Sequence, residues 1–239
     1  MHWAIVFIGR VQNYEKCIES YKKHILGPLK AAGHTWDVYL SHNARNVNDN
    51  VQAFVKDYNV LTWDQVEFDI ETLKSLIGLP MKDGMYNYNA FYMYYHMYRV
   101  GKLVKNNGIH YYGILYLRAD MIFEEDMYVA PMLEDDTLYT TDVRDCDMFE
   151  TNLFYGTTER ILRFFSIYEI LDKYRNDGQA ILHQTATFFY HMNQLNLKRV
   201  EFKLSYQLEA NRRVGNWDWY ALPLHLQHLS HLADQIVKK

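Results

Sequence analysis

The chain has 239 residues, with 25 Lys and Arg against 29 Asp and Glu, so its formal net charge is −4. Hydrophobic residues make up 49% and charged residues 23%, which are ordinary values for a globular protein and exclude a collagen-like or highly charged disordered chain. The slight acidity gives no electrostatic reason to expect a nucleic-acid partner, because nucleic acids attract basic clusters.

Length, cysteine content and hydropathy set the expected organisation. One core can bury most of a chain this long. The few Gly and Pro residues form no linker, so we predict one domain over 1–239, with about 200–239 as an irregular C-terminal segment. Cys17 and Cys146 are too few for a disulfide scaffold and indicate reduced, buried thiols. No run of about 18 apolar residues occurs, so we expect no membrane span. We also expect a cytoplasmic protein that is a monomer or a weak dimer.

Periodicity predicts an alternation of strands and helices. Residues 3–8 form a continuous apolar run before Gly9, which is typical of a strand buried on both faces of a parallel sheet. A helix over 14–32 and a strand over 37–41 complete a predicted βαβ unit with a right-handed crossover. The later predicted elements are helices at 51–58, 85–106, 158–175 and 181–194, and strands within 59–68 and at 111–117, 138–140 and 152–155.

This alternation predicts an α/β fold with a mostly parallel central sheet flanked by helices. Ligands of such sheets bind beyond the carboxyl ends of the strands. Three predicted strand ends are therefore the first candidates for a site, namely Gly9 with Arg10, His42 with Asn43, and Arg118 with Asp120.

The first strand end reads Gly9-Arg10-Val11. Glycine permits a sharp turn, and a guanidinium group matches the geometry of a diphosphate. The turn carries neither a GxGxxG fingerprint nor a P-loop, which argues against a dinucleotide-dependent dehydrogenase and an NTPase. The alternative is a tight turn with a surface arginine.

The third strand end places Arg118 and Asp120 between two apolar runs. A charge in such surroundings must be paired or must hold a ligand. Asp120 follows the strand, where its carboxylate is suited to a divalent metal that bridges phosphates. Arg118, two residues away, shares its strand face. The alternative is an internal ion pair between the two side chains.

Two further groups of polar residues are candidates. The stripe on the long helix is suited to facing a ligand, although a helix rich in Tyr and Met is more often core. The acidic cluster offers a carboxylate base, although such residues are more often found in turns. The stripe consists of Asn89, Tyr92, His96 and Arg99, and the cluster of Asp142, Asp145, Asp147 and Glu150.

Three histidines near the C-terminus, His225, His228 and His231, follow one another at intervals of three residues. They are possible metal ligands, but no HExxH motif or cysteine partner accompanies them. We therefore expect a structural or surface role for them and no three-histidine metal centre.

Four segments follow one another in the chain, namely Phe7-Ile-Gly-Arg-Val11, Trp36-Asp-Val-Tyr-Leu-Ser-His-Asn43, Tyr112-Gly-Ile-Leu-Tyr-Leu-Arg-Ala-Asp-Met-Ile-Phe123 and Asp147-Met-Phe-Glu-Thr-Asn-Leu-Phe-Tyr-Gly156. In this order, over about residues 3–200, the chain resembles the small GT-A-fold glycosyltransferases of bacterial polysaccharide clusters and large DNA viruses. The family's Asp-x-Asp metal motif reads Arg118-Ala-Asp120 in this chain.

The resemblance implies a single GT-A-like, Rossmann-like domain that moves a hexose or pentose from a UDP- or GDP-linked donor to a hydroxyl of a glycan acceptor. Asp120 is then expected to bind Mn²⁺ or Mg²⁺, and Asp147 or Asp142 to act as the catalytic base. The C-terminal segment would cover the acceptor side, and a viral enzyme would work in the host cytoplasm. The residues expected to bind the nucleotide sugar are Gly9, Arg10, Val11, His42, Asn43, Asn89, Tyr92 and Arg118.

Two other functions remain open on the sequence. A non-catalytic module that binds sugars or nucleotides would use the many tyrosines as stacking surfaces and Arg118 and Asp120 as a structural pair. A metal-dependent hydrolase would instead use the acidic cluster and the C-terminal histidines.

Overall fold

A computed structural model describes residues 1–44, 50–67, 86–141, 152–177 and 184–208. All of them belong to one compact unit, Met1–Glu209. The helices in these residues are α1 (Ile18–Tyr21), α2 (Gly27–Ala31), α3 (Val51–Asp57), α4 (Tyr86–Asn106), α5 (Thr158–Phe165), α6 (Leu171–Asn176) and α7 (Gln184–Gln194). The strands are β1 (His2–Gly9), β2 (Thr35–Asn43), β3 (Val60–Val66), β4 (Gly113–Leu117), β5 (Met121–Phe123), β6 (Thr137–Thr141), β7 (Leu153–Thr157), β8 (Lys198–Phe202) and β9 (Tyr206–Leu208).

A mostly parallel seven-stranded sheet forms the centre, in the order β3-β2-β1-β4-β7-β6-β8. Strand β7 runs antiparallel to β4 and β6, whereas the other neighbouring pairs are parallel. The carboxyl ends of six strands therefore lie at one edge, which we call the carboxyl edge. Strands β5 and β9 form a separate antiparallel pair. The predicted α/β class, with helices flanking a mostly parallel sheet, is confirmed.

Strand β1 is buried on both faces, which explains its uninterrupted apolar sequence. Ala4, Val6 and Ile8 pack into the cluster beneath α4, α5 and α7. Trp3 and Phe7 alternate with them and pack into the opposite cluster, beneath the N-terminal helices and α3. The two hydrophobic layers of the domain therefore meet at this strand.

The N-terminal helical region changes its winding along its length. A 3₁₀ turn (Tyr14–Lys16) precedes α1, and a π-helical turn (Lys22–Leu26) separates α1 from α2. Pro28 has no amide hydrogen to donate to a preceding turn, and the amide of Gly27 bonds to the carbonyl of Lys22, five residues back. Gly33 ends the region with φ +74°, the left-handed conformation typical of a glycine after a helix.

Tyrosine hydroxyls hold an irregular stretch of backbone between β5 and β6. The amide of Leu133 donates to the hydroxyl of Tyr112 at 2.7 Å, and that of Ala130 donates to Tyr155 at 3.3 Å. Tyr155 in turn donates to the carbonyl of Tyr128 at 3.1 Å. Part of the tyrosine content therefore satisfies backbone groups that no strand partner reaches.

Within the described residues, the observed helices and strands differ from the predicted ones in a few places. The helix predicted over 158–175 is interrupted by a 3₁₀ segment (Ser166–Ile170) between α5 and α6. Strands β5, β8 and β9 were not predicted, and β8 and β9 lie at the start of the predicted C-terminal segment, which beyond residue 208 lies outside the described residues. Cys17 is a buried thiol that donates to the carbonyl of Asn13 at 3.6 Å, as expected of a reduced cysteine, whereas Cys146 lies outside the described residues.

Among the residues described, no helix combines the length and the apolar character needed to cross a bilayer.

Gly113 is predicted to be essential for the packing of β4 against β7. A Cβ atom there would lie 2.7 Å from Leu133 Cδ1, 2.8 Å from the carbonyl of Gly156 and 2.9 Å from Trp3 Cζ3. Gly113→Ala should therefore lower the free energy of unfolding by about 1–3 kcal/mol, measured by urea denaturation. Gly101→Ala is the matched control, because its nearest neighbours are Phe165 side-chain atoms at 3.3–3.4 Å. Equal effects of the two substitutions would contradict the prediction.

His191 should make the stability depend on pH. Its imidazole is fully buried, with Nδ1 2.7 Å from the Tyr174 hydroxyl and Nε2 3.1 Å from the carbonyl of Phe164. Burial lowers its pKa from 6.5 to about 4. The unfolded chain therefore binds this proton more readily, and stability falls as the pH drops below 6.5 toward 4.

His191→Phe tests this contribution. At pH near 7 the variant should be less stable by about 1–3 kcal/mol, because two hydrogen bonds are lost. Below the unfolded-state pKa the gap to the wild type should narrow by about 1.4 kcal/mol per pH unit. Urea denaturation at several pH values measures the gap, and a gap that stays constant down to about pH 5 would refute the role of His191.

Candidate active site at the carboxyl edge

The strand order reverses between β1 and β4. The chain adds β2 and β3 on one side of β1 and then β4 on its other side. Open α/β sheets bind ligands outside the carboxyl ends of the strands at such a reversal. Gly9 pairs with His42, and Val6 pairs with Tyr116, which brings the end of β1 level with the residues just after β4. The three strand ends chosen from the sequence therefore share one edge.

The turn after β1 is formed by Gly9, Arg10 and Val11. Gly9 has φ +77°, a conformation that favours glycine because a side chain would strain it. Val11 is 1% exposed and fixes the turn to the core, whereas Arg10 is exposed. The turn therefore places Arg10 at the carboxyl edge.

After β4, Arg118 and Asp120 form a bidentate ion pair. Arg118 Nε lies 2.8 Å from Asp120 Oδ1, and Arg118 Nη2 lies 2.7 Å from Asp120 Oδ2. Asn152, at the start of β7, accepts from Arg118 Nη1 at 3.4 Å and donates to the Tyr206 hydroxyl at 3.1 Å. The Arg118 side chain is 39% exposed and that of Asp120 is 15% exposed, so the pair opens to solvent on the arginine side.

The contacts of Asp120 do not fit a resident metal. Both carboxylate oxygens already accept from Arg118, and a cation would have to displace a guanidinium group. Within the described ranges, no group of three or more His, Cys, Asp or Glu residues is placed to hold a metal ion. The geometry is that of the internal ion pair, and Mn²⁺ or Mg²⁺ binding by Asp120 stays a prediction.

A second polar cluster lies near this edge, and the sequence predicted only two of its four residues. On α4, His96 Nδ1 lies 2.9 Å from Ser41 Oγ, and one turn later Arg99 contacts Asp64 Oδ2 through Nε at 2.9 Å and Nη2 at 2.8 Å. Ser41 and Asp64 are register partners on β2 and β3. The predicted stripe contained His96 and Arg99, but their partners become visible only from the strand register.

His96 is neutral in this setting. The residue is 1% exposed, and burial, with the neighbouring His42 and Arg99 side chains, lowers its pKa to about 3. An uncharged imidazole beside an Arg–Asp pair can donate through one nitrogen and accept through the other. It therefore supplies directional hydrogen bonding without adding charge.

The other predicted residues are placed as follows. His42 and Asn43 are buried at the end of β2, at 0% and 8% exposure. Tyr92 is half-buried and packs against the core cluster beneath α4. The side chain of Asn89 lies outside the described residues, as do the acidic cluster with Asp142 and Asp147 and the three C-terminal histidines.

A shallow cavity of about 210 Å³ lies at the opposite edge of the sheet, among Trp36, Asp37, Val38, Tyr58, Asn59, Val60 and Leu61. Asp37 accepts there from the Tyr111 hydroxyl at 2.7 Å and contacts His2 Nε2 at 2.9 Å. Asp37 supplies the one carboxylate among these lining residues, and this carboxylate already binds other groups of the chain. The convergence of polar strand ends makes the carboxyl edge the better candidate.

Neither the protein-family models nor the curated proteins with which the chain was compared gave a match. The fold defines the class of protein, an α/β protein with a Rossmann-like, mostly parallel sheet. The residues at the carboxyl edge are the candidates for its activity.

Asp120→Asn should destabilise the protein, because it removes the charge that pairs with Arg118. Since Arg118 is partly exposed, we expect a loss of about 1–2 kcal/mol, less than for a fully buried pair. Urea denaturation measures the loss. Asp136→Asn is the matched control, since it breaks the exposed pair with Lys198 at 2.8 Å and should change stability little. An Asp120→Asn protein as stable as the wild type would refute the structural pairing.

Proposed function

We propose that the protein is a glycosyltransferase that moves a sugar from a nucleoside diphosphate sugar to a hydroxyl of a glycan acceptor. One observation carries the proposal. Two arginines, Arg10 and Arg118, stand at the ends of β1 and β4, the strands that flank the reversal of strand order. A crevice at such a reversal with two guanidinium groups is suited to the diphosphate of a nucleotide sugar.

Transfer of the sugar requires positively charged groups of the protein close to the leaving diphosphate. When the bond from the sugar to the diphosphate breaks, negative charge builds on the diphosphate oxygens, and fixed donors directed at that charge lower the barrier. Asp120 holds the guanidinium of Arg118 in one orientation through two hydrogen bonds. Arg118 Nη1 donates to Asn152 Oδ1 at 3.4 Å, and the Arg118 side chain is 39% exposed.

The acceptor hydroxyl needs a base. Strand β6 runs parallel to β4, so it ends at the carboxyl edge with Thr141, and Asp142 is the next residue in the chain. We propose Asp147, or alternatively Asp142, as the carboxylate that takes the proton from the acceptor. Such general-base catalysis contributes roughly 10²–10⁴ in rate.

Thermal unfolding with UDP, GDP and CMP, each with and without Mn²⁺, tests donor binding. A hundredfold excess of ligand over its Kd stabilises a protein by about 2.7 kcal/mol, which raises Tm by several degrees. We expect one nucleoside diphosphate to raise Tm, and the arm with Mn²⁺ tests the metal binding that the sequence predicted for Asp120. Stabilisation by free sugar alone would favour the binding module, and nucleotide-independent stabilisation by metal would favour the hydrolase.

Arginine variants localise the donor. Arg10→Gln and Arg118→Gln should each reduce the nucleotide-dependent rise in Tm. Arg160→Gln is the matched control, because Arg160 is a partly exposed arginine in the first turn of α5, which follows β7 at the opposite edge. An unchanged response in Arg10→Gln and Arg118→Gln would place the nucleotide elsewhere and overturn the proposal.

Transfer itself is tested with the carboxylates. Asp147→Asn should lower the rate of sugar transfer by about 10²–10⁴ and leave the nucleotide-dependent rise in Tm intact. Asp142→Asn tests the alternative base, and Asp145→Asn and Glu150→Gln are controls from the same acidic cluster. Full activity in both Asp147→Asn and Asp142→Asn would exclude these residues as the base.

A further inference from the structure

Two polar pairs lie side by side between α4 and the strands β2 and β3. Ser41 and Asp64 are register partners on neighbouring parallel strands, so their Cα atoms are separated by roughly the 4.8 Å strand spacing and their side chains share one face. On the helix above them, His96 and Arg99 are one turn apart and therefore also share a face. Ser41 contacts His96, and Asp64 contacts Arg99, so the four side chains form one compact cluster.

Each pair leaves one polar atom unused. Within the part of the chain that the structure describes, His96 Nε2 and Asp64 Oδ1 are buried and have no hydrogen-bond partner. His96 is 1% exposed. Buried polar atoms without a partner are rare, and each one in a native protein needs an explanation. The contrast is His191, which is equally buried but has a partner for both ring nitrogens.

The hydrogen-bond pattern defines the missing partner. We assign the Ser41 hydroxyl as the donor to His96 Nδ1, and in this tautomer the imidazole proton is on Nε2. Nε2 is then a donor that lacks an acceptor. Asp64, paired with Arg99, offers Oδ1 as an acceptor that lacks a donor. A ligand with one acceptor group and one donor group satisfies both atoms.

We infer that Ser41, Asp64, His96 and Arg99 form a second, uncharged-ligand subsite, which binds a sugar hydroxyl or the imide or lactam edge of a nucleobase. As a subsite of the nucleotide-sugar crevice it rests on the proposed function. Its position fits that role, because Ser41 pairs in register with Ile8, the residue before the Gly9 turn. The subsite therefore adjoins the turn that carries Arg10, on the side of β1 away from Arg118.

The double variant Ser41→Ala/His96→Phe removes both polar partners of one pair. Replacing both members of a buried hydrogen bond by apolar groups is nearly neutral for stability, and here it also removes the unused Nε2. We therefore expect the double variant to melt within a few degrees of the wild type. His191→Phe, which loses two satisfied hydrogen bonds, is the matched control and should melt lower yet bind ligands as the wild type does.

Binding is measured by titration with inorganic pyrophosphate, UDP, GDP, uridine, guanosine and free glucose, galactose and xylose. If the subsite holds the nucleoside, the wild type binds one nucleoside diphosphate more tightly than pyrophosphate. The double variant should then bind that nucleoside diphosphate about tenfold more weakly than the wild type does, and its affinity for pyrophosphate should stay unchanged. If the subsite holds a sugar, the wild type binds a free sugar and the double variant binds it about tenfold more weakly.

The outcomes separate this inference from the proposed function. Wild-type protein that ignores every nucleotide and pyrophosphate overturns the proposed donor, while the free-sugar arm still decides the subsite. A double variant that matches the wild type with every probe overturns the inference and shows that His96 is a structural residue only, whatever happens to the donor. A double variant that unfolds, while Ser41→Ala alone retains full binding, also overturns it.

Discussion

The burial of β1 on both faces from Trp3 to Ile8 is the constraint on which the rest of the structure depends. Its side chains alternate between two hydrophobic layers, so neither layer forms without it. Because β1 also pairs with β2 on one side and β4 on the other, its register fixes where both neighbouring strands end along the strand direction. Gly9, His42 and the Arg118–Asp120 turn reach the same edge for this reason. The candidate site is thus a consequence of the core and is placed on rigid elements, which catalytic geometry requires.

The edge divides into parts with different chemistry. The Arg118–Asp120 pair near β7 is charged and partly open to solvent. The Ser41–His96 pair beneath α4 is neutral and buried, and it adjoins the partly exposed Asp64–Arg99 pair. The Gly9 turn lies between them and carries an exposed arginine. The proposed nucleotide sugar, in which a charged diphosphate adjoins uncharged groups, suits this order better than a simple anion.

The sequence predicted the fold well where burial left a clear pattern. Residues 3–8 and 111–117 were recognised as strands because both faces are covered. Strand β8, with the sequence Lys198-Arg-Val-Glu-Phe202, lies at the sheet edge and is largely exposed, so it carries no apolar run, and β5 and β9 have three residues each. Composition also could not choose between a metal ligand and an ion pair for Asp120, because the choice depends on the rotamer of Arg118. Ser41 and His96 are 55 residues apart, and only the strand register and the helix phase bring them together.

The tyrosine hydroxyls between β5 and β6 have a consequence for how this chain can vary. Exchange of Tyr for Phe usually preserves a core, because the ring volume is nearly unchanged. At Tyr112 and Tyr155 the exchange would instead leave the amides of Leu133 and Ala130 without acceptors. Burial also raises the pKa of Tyr155, so its hydroxyl keeps its proton at alkaline pH and remains a donor to Tyr128. Such conservative substitutions would loosen a loop 21 to 25 residues away in the sequence. The aromatic positions of this protein therefore carry information about its loops as well as its core.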